Sequence, residues 1–137
     1  MFGISIKDVA TIALIVQVVI MLGFGVGVYL ARTKNLQRHC KVMSVLVPIL
    51  IVVTALAMVG PLVTFIQSPP ESGILLEALV HHTLGTLVIL IWIYVSLAFR
   101  GMIPVLGGRL LWPMRAAATF WAASFVLGVH MYFLQYV

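Results

Sequence analysis

The chain has 137 residues, of which 64% are hydrophobic and 8% carry charge, with a net charge of +5. That composition excludes a water-soluble domain, a long linker and a disordered tail, all of which need polar surface. The single cysteine excludes an internal disulfide, and with three carboxylates there is no Ser/His/Asp set, phosphate-cradling glycine loop or zinc-protease motif for hydrolytic chemistry.

Four apolar runs, 9–31, 42–66, 75–99 and 114–136, each have the roughly twenty residues that a bilayer core requires. Hydrocarbon offers no partner to a peptide group, so each run is predicted to cross as a helix. The fold class that follows is all-α, a single integral-membrane four-helix bundle. The first run contains Gly23 and Gly27 at the small-xxx-small spacing that lets membrane helices approach closely, which predicts tight packing inside the bundle. Lys7 and Asp8 precede it without net charge and no small-residue cleavage site follows, so this run is expected to be retained. Arg32, Lys34, Arg38 and Lys41 come next, and Arg100, Arg109 and Arg115 separate the third and fourth runs. Under the positive-inside bias both loops are cytoplasmic, and both termini face outward. The connection 67–74, which holds Glu71 and no Lys or Arg, fits an outer loop. The net positive charge thus reflects topology rather than nucleic-acid binding, with anionic membrane lipids as the expected counter-surface. Pro48 and Pro61 are expected to bend the second span, and Tyr29, Phe65, Trp112, Tyr132 and Tyr136 fit interfacial belts.

The histidines carry what chemistry there is. His81, His82 and His130 fall inside spans, where an ionisable group is a functional hypothesis by default. His82 lies about 10 Å below the outer end of its span at 1.5 Å per residue, and His130 lies at about the same depth in the fourth. A low-spin haem b accepts two neutral imidazoles, and a helical bundle is a usual place to build that site. The predicted ligands are His130 with His82 or His81, the two neighbours pointing about 100° apart, with His82 slightly preferred. Gly85 would leave space for a porphyrin face. Glu77, one turn before His81 and on the same face, would fix the His81 ring from outside the coordination shell or form a proton-accepting pair with it. At the inner end His39, Cys40 and Met43 form a second cluster whose donors suit a haem edge or, as an alternative, copper(I), together with Met131.

The succession His39 and Met43, then His82 and Gly85, then Arg115 leading to Thr119-Phe120-Trp121, Ser124, Gly128 and Tyr132, resembles a family. It is the family of small four-helix membrane proteins that includes cytochrome oxidase assembly factors, itself distantly similar to half of haem A synthase. The resemblance covers residues 37–136 and makes His39 and His82 the matching positions. In that family a His usually precedes the Arg of span four, whereas Met114 stands here, removing the inner partner of His39. The expected function is a haem- or metal-binding protein of a respiratory or other membrane redox complex, in electron transfer or cofactor assembly, without independent turnover. It would lie among other membrane subunits in a prokaryotic plasma membrane. The competing expectation is an accessory subunit without cofactor that packs against a larger membrane enzyme.

Overall fold

The computed structural model describes residues 6–68 and 72–137 and is all-α. Among the described residues there are four long helices: α1 (Ile6–Arg32), α2 (Leu36–Gln67), α3 (Ser72–Phe99) and α4 (Leu111–Tyr136), with a short 3-10 turn, Leu106–Gly108, before α4. All four are long and apolar enough to cross a membrane. Each helix starts a few residues before its apolar run, because a helix end is decided by backbone capping and not by hydropathy. Pro48 and Pro61 lie inside the uninterrupted helix α2. Glu71, read as part of an outer loop, lies outside the described residues, as does the side chain of Tyr136.

Residues up to Val53 form one unit, α1 and the first part of α2. The turn between them is built by capping. Lys34 adopts φ 59°. Asn35 N–H then reaches the Leu30 carbonyl at 2.9 Å and Lys34 N–H the Ala31 carbonyl at 3.1 Å, the paired bonds of a Schellman ending. Asn35 Oδ1 accepts from Arg38 N–H at 3.4 Å and so caps the start of α2. The small-residue face of α1 packs as its spacing predicts. A Cβ on Gly23 would lie 3.1 Å from Leu46 Cδ1, and one on Gly27 would lie 2.6 Å from Met43 Sδ.

Residues from Thr54 onward form the second unit: the rest of α2, then α3 and α4. Helices α3 and α4 pack side by side as an antiparallel hairpin. Buried positions recur at spacings of three, four and seven, Ala78, Gly85, Val88, Trp92 and Val95 on α3 and Ala117, Trp121 and Ser124 on α4. That spacing keeps one narrow stripe of each helix against its neighbours. Since lipid tails are as apolar as the side chains, close packing of small residues and interhelical hydrogen bonds hold such a hairpin together. Helix α3 ends as α1 does, with Gly101 at φ 72° and Met102 N–H on the Leu97 carbonyl at 3.0 Å.

Candidate functional site

The end of the α3–α4 hairpin remote from its connecting loop gathers Glu77, His81 and His82 from α3 with Ser124, Gly128 and His130 from α4. His81 Nδ1–H donates to the backbone carbonyl of Ser124 at 2.8 Å. That carbonyl can accept it because a helical C=O has a second lone pair beyond its own ladder bond. The Ser124 hydroxyl lies 3.2 Å from His81 Nδ1 and donates to the His81 carbonyl at 3.2 Å. Gly128 supplies the seat for the ring, since a Cβ there would lie 2.9 Å from His81 Cε1. His81 is therefore fixed in orientation and in tautomer: with the proton on Nδ1, the Nε2 lone pair is left to ligate or accept.

His130 is held in the same manner by a different acceptor. Its Nδ1 lies 2.7 Å from Glu77 Oε1, with the imidazole largely exposed and the carboxylate half-buried. This contact sets His130 level with Glu77, while His81 sits level with Ser124 and Gly128, so the histidines of the two helices lie about one helical turn apart along the hairpin and not at the equal depth expected from the spans. The spacing along α3 assigns Glu77 to His81, but its carboxylate pairs instead with His130 across the hairpin, and His81 is held by the Ser124 carbonyl. His82 faces elsewhere. Its ring packs at 5.4 Å from Phe65 of α2 and 5.4 Å from the ring of His81, and its Nδ1 is buried with no hydrogen-bond partner. The space expected beside Gly85 is taken by Met58, whose sulfur would lie 2.6 Å from an added Cβ.

The cluster of His39, Cys40 and Met43 sits in the first unit. His39 Nδ1–H donates to the Gly27 carbonyl at 2.7 Å. Met43, one turn later on α2, is buried with its sulfur over the same glycine. Thus His39 and Met43 converge on Gly27. Cys40 is a half-buried free thiol, and on a helix it points about 100° away from His39. Among the described residues no three His, Cys, Asp or Glu side chains group as a metal centre.

No family model matches the chain, and no curated protein or solved structure matches it. The site's chemistry therefore rests on its own geometry. Two residues that define it, Ser124 and Gly128, play no part in the ligand assignment made from spacing and depth. Their signal was present: they are four apart on α4, a small-xxx-small pair at the depth of the histidines. The acceptor role of Gly27 toward His39 has the same origin, because a residue without a side chain exposes its carbonyl to a neighbouring helix.

Proposed function

We propose that the chain is a membrane haem- or metal-binding protein serving a redox complex, in electron transfer or in cofactor assembly. The observation that carries this reading is the shared posture of two intramembrane histidines. His81 and His130 each spend Nδ1–H on a fixed acceptor, the Ser124 carbonyl and the Glu77 carboxylate, and each leaves Nε2 free. Imidazoles prepared for metals are held this way, since the acceptor sets the tautomer and raises the basicity of the other nitrogen.

The donor chemistry fits haem better than a bare cation. A closed zinc or copper centre needs three or four protein donors, whereas a b-type haem iron needs two imidazoles. His81 and His130 would hold the iron, with Ser124 and Glu77 as the groups that orient them. Bound there, haem would supply one-electron chemistry inside the membrane. This choice moves the preferred α3 ligand from His82 to His81, because His82 packs against Phe65 while His81 is oriented by α4.

Visible spectra of the oxidised and dithionite-reduced protein, purified in mild detergent after expression with haem supplied, test the proposal. A b-type spectrum that is lost in His81→Ala and His130→Ala but kept in His82→Ala is the expected result. A colourless parent protein, also blank by metal analysis, would overturn it. The second reading, an accessory subunit without cofactor, is favoured by one observation: Met58 fills the space at Gly85. On that reading the histidine bonds act only as ties between helices, and His→Ala variants would lower stability without spectral consequence.

A further inference from the structure

The loop between α3 and α4 has a built shape and an unusual charge pattern. Leu106 N–H donates to the Tyr94 hydroxyl at 2.8 Å, so the middle of the loop is tied back to the body of α3 instead of projecting into water. Gly101, Gly107 and Gly108 hold φ values of 70–72°, a conformation that glycine adopts without the steric cost of a Cβ. On this frame the loop and the first turn of α4 display apolar side chains: Leu106 is 73% exposed, Trp112 71% and Met102 68%, with Val105 and Leu111 exposed beside them. Interleaved with these are Arg100, Arg109 and Arg115, all exposed.

The three arginines have no counter-charge in their own segment, because the sequence from Arg100 to Val137 contains no Asp or Glu. Every cation here is also an arginine, whereas the α1–α2 turn mixes Lys with Arg. A guanidinium meets a phosphate through two parallel hydrogen bonds, which an ammonium cannot do. A soluble acidic partner would neutralise the charge but would leave exposed leucines and a tryptophan in water. An anionic phospholipid satisfies both, with its phosphate on the arginines and its acyl region against the apolar side chains.

We propose that this loop together with the start of α4 is a binding site for anionic glycerophospholipid, held at the membrane surface by Arg100, Arg109 and Arg115, with Trp112 and Leu106 in the acyl boundary. The site is independent of any haem at the other end of the hairpin. Trp112 provides its own reporter: it is exposed, whereas Trp92 and Trp121 are 1% and 6% exposed.

The full chain is reconstituted in phosphatidylcholine vesicles, with brominated phosphatidylglycerol or brominated phosphatidylcholine titrated in, and tryptophan quenching is followed. The expected result is half-maximal quenching by the anionic lipid at a mole fraction lower on the order of fivefold, as a basic cluster at a lipid surface implies. The Trp112→Phe variant should lose most of the quenchable emission, and added salt should narrow the gap between the two lipids. In the R100Q/R109Q/R115Q protein the two lipids should quench alike. Equal quenching of the parent by both lipids would overturn the proposal, as would selectivity retained in the triple variant. Failure of either lipid to quench the parent would overturn it too and would point to a protein covering the loop. If the triple variant does not fold, the comparison of lipids and salt in the parent decides.

Discussion

At the scale of single residues, the same apparent crowding has different consequences at two glycines. A Cβ at Gly27 would press on Met43 Sδ, and a Cβ at Gly128 would press on His81 Cε1. Methionine has three rotatable bonds and can move its sulfur aside. The imidazole cannot move without leaving the Ser124 carbonyl. Gly128→Ala should therefore destabilise the protein by about 1–3 kcal/mol, the usual range for overpacking, while Gly27→Ala costs less. Ser124→Ala is the informative companion. The main acceptor for His81 is the backbone carbonyl, which this substitution keeps, so only the hydroxyl's contacts are lost. Its cost should be nearer ~0.6 kcal/mol, the average of interhelical bonds measured in a membrane protein. Unfolding midpoints of the three variants in mixed detergent micelles give the order, and a Ser124→Ala protein less stable than Gly128→Ala would contradict it.

At the scale of elements, both α1 and α3 end on a residue in the left-handed region, but one end uses Lys34 and the other Gly101. An L side chain in that region carries a cost of roughly 1–2 kcal/mol that glycine avoids. Lys34→Gly should accordingly raise the thermal midpoint, and Gly101→Ala should lower it, although neither substitution touches a core contact. A midpoint lowered by Lys34→Gly would mean that the lysine side chain contributes more than its backbone strain costs. The two helix ends also show where sequence reading stops short. The apolar runs place all four helices, because hydropathy over some twenty residues is a strong signal. They do not place the helix starts, which extend past the runs into polar sequence such as Leu36–Lys41. There the deciding features are local: Asn35 capping Arg38 N–H, and a left-handed residue that ends the preceding helix. The Tyr94 tie to Leu106 is of the same kind, since a hydroxyl inside a span gives no indication of the loop it will hold. Tyr94→Phe removes that bond and should make trypsin cleavage at Arg109 several-fold faster, with cleavage at Arg38 unchanged as the internal control.

At the scale of the whole molecule, composition alone points to the membrane, and counting along each span brings histidines of α3 and α4 to the same end of the hairpin, though about one turn apart. The side each histidine faces is a separate quantity. In a helix that is apolar all round, periodicity carries no contrast from which to read it. His81 and His82 could therefore be ordered only by preference until Ser124, Gly128 and Phe65 supplied their neighbours. Orientation across the bilayer is set by the asymmetry of lysine and arginine, and it determines from which side the Glu77, His81 and His130 group would be reached. Cys40, the single cysteine, lies beside Arg38 and Lys41 at the start of α2, while Ser68 lies exposed just after the end of the same helix. These two positions therefore report opposite faces of the membrane. In intact cells a membrane-impermeant maleimide should leave Cys40 unlabelled until the membrane is opened. In a Cys40→Ser background, Ser68→Cys should be labelled without opening it. The reverse pattern would invert the topology and carry His81 and His130 to the cytoplasmic half of the bilayer. Haem delivered from the inner face would then reach them directly, and the arginine loop would meet the outer leaflet, where its preference for anionic lipid would have to be sought.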